Sequence, residues 1–330
     1  MTQLRQLPEA RFSCRGCGRC CQGFSFGPVE PQVIQGLQDA GIEQHWPPAA
    51  EGPWFHEHPG PGEQPIYSLA HRDGHCVFLR EDKLCAVHAL LGESAKPWFC
   101  REYPIRIVQD AAGVTATVRA DCGGFHESHA DGAPLDAQIQ AALSLPRPVP
   151  YPRFSAPHVE ILPGVAIGAD NWLQLEAPLL SKLQDGGAHQ AAAKLRSVLT
   201  QVTSRALPEP DEAAFIKGLR GCVGVLGNTA PTSLLPKAAQ QISALLPEGE
   251  DRLPYFRAVL CNDLLAKRFA AVGSVPAGVG LTLLEVQTAL ALGGPEHLSE
   301  VQRTLQLPKV WEQVRALKPA LEALFVHNPG

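Results

Sequence analysis

Nowhere in the 330 residues does an apolar run approach the roughly 20 residues that a membrane helix needs, so no membrane span is expected. The opening stretch MTQLRQLPEARF has neither the apolar core nor the small-residue cleavage site of a secretory signal. Both absences lead to the expectation of a cytoplasmic protein. A basic excess is missing too. Lys and Arg number 28 against 33 Asp and Glu, a formal net charge of -5, whereas a nucleic-acid-binding domain normally shows a basic face or a high pI. Neither nucleic acid nor a membrane is therefore expected as a partner. Internal repeats, coiled-coil heptads and low-complexity tracts are also missing. With 45% hydrophobic and 18% charged residues, the chain belongs with globular rather than disordered proteins, and its length allows two domains.

Cysteine, by contrast, is abundant and unevenly placed. Eight of the ten cysteines lie before Phe125: Cys14, Cys17, Cys20, Cys21, Cys76, Cys85, Cys100 and Cys122; only Cys222 and Cys261 follow. The asymmetry divides the chain into a cysteine-rich first domain, residues 1–144, and a second domain, 145–330, joined by the Pro-rich segment from Leu145 to Pro157. Within the first, PQVIQGLQDAG reads as a short helix opened by Pro31 and closed near Gly41. IYSLAH and CVFLR read as short strands, and EDKLCAVHALLG as a helix that starts from an acidic turn and ends at Gly92. PIRIVQDAAGVTATVRADC has β-branched residues on both sides of Ala112-Gly113 and reads as a hairpin.

The second part is helical. NWLQLEAPLLSKLQDG, AHQAAAKLRSVLTQV, DEAAFIKGLR, LLPKAAQQISALL, LPYFRAVLCNDLLAKRFAAVG, LTLLEVQTALALGG, HLSEVQRTLQL and VWEQVRALKPALEALF each place apolar residues at three- and four-residue steps. Phe256, Val259, Leu260, Leu264 and Phe269 form one buried stripe, and HVEILPGVAIG reads as a strand pair opening this part. The expected class is α+β: a small irregular cysteine-rich metal-binding domain followed by a mainly α-helical one.

Four thiols in the eight positions of CRGCGRCC admit a disulfide staple, a redox pair, a zinc site or an iron–sulfur cluster. In a reducing compartment clustered cysteines are more often metal-binding or catalytic than bridged. A C-x2-C unit aims two thiolates at one point, and its backbone N–H groups bond the sulfurs; Cys14, Cys17 and Cys20 make two such units sharing a residue. Zinc sites usually take two separate pairs of ligands, whereas three ligands spaced C-x2-C-x2-C with a fourth elsewhere fill the corners of a [4Fe–4S] cluster. The spacing leans towards iron–sulfur and leaves zinc open. Consecutive cysteines face different directions in an ordinary backbone, so Cys21 serves a second metal or a cluster edge, or packs in the core. Cys76, Cys85, Cys100 and Cys122 can join only through the fold. Together the eight thiols suffice for two four-thiolate sites, or for one cluster with spare thiols. Arg11, Arg15, Arg19 and Arg101 are placed to balance the negative charge of thiolates around a metal, and Phe12, Phe24, Phe26, Trp98 and Phe99 to exclude water. Among the histidines, His56, His58, His75, His126 and His129 are further candidate ligands, with His88 the best placed, three residues after Cys85. Cys222 and Cys261 read as core residues.

The succession CRGCGRCC, CVFLREDKLCAVH, KPWFCREYP and DCGG resembles the YkgJ-type cysteine-cluster family, the zinc- or iron-chelating CxxCxxCC domain, over roughly Phe12 to Gly124. The resemblance implies that all eight N-terminal cysteines belong to one constellation. CVFLREDKLCAVHALLGESAKPWFCREYP is also similar to flagellin lysine N-methylases, as is the character of YFRAVLCNDLLAKRF, which implies S-adenosylmethionine as a cofactor and a protein substrate. C-x2-C-x2-CC stands where the methylases have a wider spacing. No glycine-rich strand–turn–helix marks a methyl-donor site, and the C-x3-C-x2-C of radical S-adenosylmethionine enzymes is absent. The leading expectation is a metalloprotein whose iron–sulfur cluster or zinc is structural or passes electrons to a redox partner. The alternatives are a protein lysine methyltransferase and a metal-delivery module.

Overall fold

The computed structural model describes residues 4–7, 10–22, 27–60, 64–183, 186–242 and 253–329. The protein is α+β, mostly helical with small sheets. It divides into two compact units that are not consecutive in sequence: Arg11–Arg106 with Cys122–Pro150, and Met1–Ala10 with Ile107–Asp121 and Tyr151–Gly330. The chain thus passes between units four times, where the sequence reading places a single joint.

The first unit contains all eight N-terminal cysteines. Its regular elements are short. The helix Pro31–Asp39 starts with Pro at its first position, where the missing N–H costs nothing, and closes before left-handed Gly41. Phe55–His58 pairs antiparallel with Ile66–Leu69, and His71–Arg72 with His75–Cys76 across the Asp73-Gly74 turn. The CVFLR stretch is not a strand. After Cys76 the chain turns, Leu79 N–H donating to the Cys76 carbonyl at 2.9 Å, and Leu79 makes a single bridge to Cys85. A tight return is needed because Val77 and Phe78 are both buried, which an alternating strand with one wet face would not allow. The helix after it, Ala86–Leu91, ends at Gly92 as expected. The core of this unit gathers Val29, Leu37, Ile42, Leu69, Val77, Phe78, Val87, Trp98 and Phe99. Phe24 and Phe26 lie outside the described residues.

The second unit is built on helices. The hairpin Ile105–Asp110/Gly113–Val118 turns at Ala111-Ala112, one residue earlier than its sequence suggests, and Leu4–Arg5 pairs parallel to its second strand. His158–Leu162 and Val165–Gly168 form the expected strand pair. Helices Ala169–Lys182, Ala188–Thr203, Glu212–Thr229, Leu235–Gln241, Leu253–Leu265, Val275–Ala291, Leu298–Leu305, Pro308–Ala316 and Lys318–His327 follow. Two segments differ from their sequence pattern. The segment expected as one helix from Leu253 to Gly273 stops at Leu265, because Lys267 turns left-handed (φ 55°) to bury its ammonium beside Glu176, 2.8 Å, and Asp110, 3.3 Å. Phe269, the last residue of the expected stripe, is still buried, but from a short 3₁₀ turn. VWEQVRALKPALEALF is two helices, because Pro319 has no N–H to continue the first and instead opens the second.

Val275–Ala291 is buried along nearly its whole length, polar Thr282, Glu285, Gln287 and Thr288 included, beyond the apolar steps that its sequence shows. It lies so close to Lys318–His327 that a Cβ at Gly280 would collide with the Leu321 carbonyl oxygen. Its buried Glu285 pairs with Arg268, which also reaches Asp263 at 2.8 Å, and Gln302 donates to Glu285 at 2.7 Å. Cys222 and Cys261 sit in this unit's core, 1% and 6% exposed. Among the described residues no helix is long and apolar enough to cross a membrane.

Candidate metal centre

The CRGCGRCC loop takes its shape from two glycines. Gly16 (φ 61°) and Gly18 (φ 67°) are both left-handed, a conformation that costs other residues a clash of Cβ with backbone. They curl the chain around Cys17. Gly16 N–H donates to the Cys14 sulfur at 3.5 Å, the kind of backbone bond that supports a thiolate. Gly18 then starts a 3₁₀ turn, Arg19–Cys21, closed by Cys21 N–H donating to the Gly18 carbonyl at 2.9 Å.

Two further segments clasp this loop. On one side lies the turn between Cys76 and Cys85: a Cβ at Gly18 would meet Lys83 Cβ at 2.9 Å and Leu79 Cδ1 at 3.2 Å, and Gly16 faces Leu84. Gln22 bridges to His75, next to Cys76. On the other side lies the turn that opens with Cys122. Arg19 packs over Gly123, and the backbone of Arg15 lies against Gly124. Arg11–Phe12 pairs with Ala133–Pro134, Ala133 N–H donates to Ser13 Oγ at 3.0 Å, and Arg15 donates to the Glu127 carbonyl at 3.0 Å and pairs with Asp131. Cys85 and Cys122 both occupy helix N-cap positions, where backbone N–H groups lack partners within the helix. At Cys122 the Phe125 N–H donates to the Cys122 carbonyl at 3.1 Å.

Burial and mutual repulsion together oppose ionisation of these thiols. The bond to Cys20, burial, and the charges of Cys20, Cys76 and Cys85 raise Cys21 far above an ordinary thiol. Cys76 is pushed up to about 12 by burial, with Cys85 and Cys20 adding to it. Burial raises Cys100 well above its ordinary value, against the pull of Lys96, and Cys76, Cys85 and Cys20 push it further. Cys122 rises to about 12 through burial, its backbone bonds opposing and Cys17 and Cys20 adding. Cys222 differs in kind: burial alone takes it to about 11. Cys261 reaches about 12 by burial, with Arg257 opposing. Thiols that raise one another's pKa are close neighbours, and a cation among them would reverse the effect.

The structure therefore brings Cys17, Cys20, Cys21, Cys76, Cys85, Cys100 and Cys122 into one neighbourhood, with Cys14 exposed at its rim. Consecutive cysteines do not point apart as expected: in the 3₁₀ turn the sulfurs of Cys20 and Cys21 are 3.9 Å from each other. Among the described residues no three His, Cys, Asp or Glu side chains converge tightly enough to hold an ion; the cysteines are gathered, but their sulfurs are not turned onto one centre. In chemistry the donor set fits a thiophilic metal, since soft sulfurs, backbone N–H donors and a buried setting are what zinc and iron–sulfur sites use.

The surrounding residues are only partly those the sequence suggests. Trp98 and Phe99 are buried beside Cys100, with Trp98 N–H donating to Glu30 at 3.0 Å and Arg147 lying 4.3 Å over its ring. Arg101 faces Glu30 at 3.8 Å, and Arg11 donates to the Gly132 carbonyl at 3.1 Å. His88 is exposed, and His58 bonds Ser68 at 2.7 Å. Two residues escape the sequence reading. Lys96 is the cation that acts on Cys100, four positions ahead of it. His71 stands opposite Cys76 in the two-residue ladder, and its buried Nε2 has no hydrogen-bond partner. Burial lowers its pKa, and the nearby His56 and His75 lower it further. The signal for His71 was the Asp-Gly turn in HRDGHC, which folds that histidine back over the cysteine.

Residues 13–122, one third of the chain, match the CxxCxxCC family, described as a "putative zinc- or iron-chelating domain". The matched stretch begins one residue before Cys14 and ends on Cys122, so it spans all eight clustered cysteines. No curated protein and no solved structure matches the chain, and the expected likeness to flagellin lysine N-methylases has no counterpart in these comparisons.

Proposed function

We propose that the cysteine-rich unit is a thiolate metal centre that holds an iron–sulfur cluster, with zinc as the alternative occupant. The observation that carries the reading is the clasp: three segments remote in sequence, each bearing cysteines, pack together, with no room for a Cβ at Gly18 and with the Arg19 side chain lying over Gly123. Metal binding requires these thiols to lose their protons, and a cation among them would offset the burial and mutual repulsion that otherwise keep them protonated. The ligands would come from Cys14, Cys17, Cys20, Cys21, Cys76, Cys85, Cys100 and Cys122. Bound iron–sulfur would supply one-electron chemistry or a rigid cross-link between segments; zinc would supply the cross-link alone. The C-x2-C-x2-C spacing favours iron. Methyl transfer is not part of this reading, since no observation of the fold or of the comparisons favours it.

The test is purification without oxygen, followed by iron, zinc and sulfide analysis and a visible spectrum. A broad thiolate-to-iron band near about 400 nm is expected, and it persists in the C222A/C261A variant because those two sulfurs lie outside the centre. Protein that carries no metal, with all eight N-terminal thiols free to react, would refute the proposal.

A further inference from the structure

Building on that reading, we infer that the eight cysteines form two adjoining four-thiolate sites. Cys21, Cys76, Cys85 and Cys100 make the inner one, and Cys14, Cys17, Cys20 and Cys122 the outer one. Packing separates them. Cys76 belongs to the hydrophobic core of its unit, and Cys21, Cys85 and Cys100 pack against that core; the other four cysteines are not among the described residues of that cluster.

Beyond the packing of Gly16 and Gly18 on the Leu79–Leu84 turn, the remaining connections divide along the same line. The inner set is tied together by the Gln22–His75 bridge, the Leu79–Cys85 bridge and the turn from Cys76 to Leu79. The outer set is tied through Arg11–Phe12 on Ala133–Pro134, Ser13 on Ala133, Arg15 on Glu127 and Asp131, and Arg19 over Gly123. The dividing point falls within the Cys-Cys pair, whose sulfurs touch at 3.9 Å. The two sites differ in access through Cys14: the outer one includes this exposed thiol although its Cys122 is as buried as Cys76, and the inner one is lined by Trp98, Phe99 and Phe78. The outer site is therefore the exchangeable one and the inner site the retained one.

Metal content per chain tests this on the full-length protein purified anaerobically, alongside a C14S/C17S variant that alters only the loop at the rim. Wild type is expected to carry two centres, read as about two zinc ions or as two clusters' worth of iron and sulfide. The variant is expected to keep about half of that metal and an unchanged far-ultraviolet circular dichroism spectrum. A second measurement does not depend on the variant. Brief exposure of wild type to a chelator, then alkylation and peptide mass spectrometry, should label Cys14, Cys17, Cys20 and Cys122 as a block before the inner four. A single centre per chain, a variant that loses all or none of its metal, or labelling that mixes the two sets overturns the two-site assignment and leaves thiolate metal binding standing. Wild type without metal overturns the underlying reading instead.

Discussion

Gly18→Ala is the sharpest perturbation the clasp offers. The residue is left-handed, φ 67°, so any side chain there costs about 1–2 kcal/mol for the backbone conformation alone. The new Cβ would also lie 2.9 Å from Lys83 Cβ and 3.0 Å from the Lys83 carbonyl oxygen, with Leu79 Cδ1 at 3.2 Å. One of those atoms is backbone and cannot rotate away, so the loop and the turn between Cys76 and Cys85 must separate; overpacking of this kind costs about 1–3 kcal/mol. The sum is about 2–5 kcal/mol. If both segments hold metal, that energy appears as affinity lowered roughly 30- to 3,000-fold, at 1.4 kcal/mol per tenfold. Gly74→Ala supplies the comparison. It too is left-handed, φ 78°, but has open space around its Cβ position, so only the conformational cost applies. Competition with a chromogenic chelator measures both variants against wild type. Equal losses for Gly18→Ala and Gly74→Ala would show that contact between loop and turn contributes nothing to metal retention, and the clasp argument would fail.

Two further expectations concern the helical unit. Arg268→Leu leaves Glu285 and Asp263 without their buried cation; breaking such a pair costs about 3–5 kcal/mol, which urea unfolding should register, and a loss under about 1 kcal/mol would mean the carboxylates find other partners. His189 is locked between Asn328 Oδ1 at 2.6 Å and Gln287 Nε2 at 2.6 Å and rests on the Phe215 ring, and burial lowers its pKa. A base whose folded pKa lies below its unfolded value contributes stability fully above about pH 6.5 and loses it as pH falls towards the folded value. Thermal scans between pH 7.5 and 5 should therefore show a steeper fall for wild type than for His189→Asn, and parallel curves would rule out this role for His189.

Much of the helical architecture was readable because it is local. The three- and four-residue apolar period marks helices such as Ala188–Thr203 without reference to anything distant, and Pro31, Gly41 and Gly92 punctuate their elements by their own backbone limits. Where the pattern misled, a distant partner decided. The helix reading failed at Lys267 because an ammonium found Glu176 and Asp110, residues 91 and 157 positions away, and no window of sequence contains that pairing. CVFLR has the composition of a strand but turns instead, since Val77 and Phe78 are both drawn into one core.

The cysteines follow the same division. Spacing alone supports the expectation that Cys14, Cys17 and Cys20 act together, because each C-x2-C unit aims its two thiols toward one point. Nothing local bound Cys76, Cys85, Cys100 and Cys122 to them. Their approach to the loop comes from Gly18, small enough to let the loop touch the turn between Cys76 and Cys85, and from an apolar core that collects Cys21, Cys76, Cys85 and Cys100. Proximity between remote residues is decided by packing against a shared interior, and a linear order of residues does not contain that interior until the chain has folded.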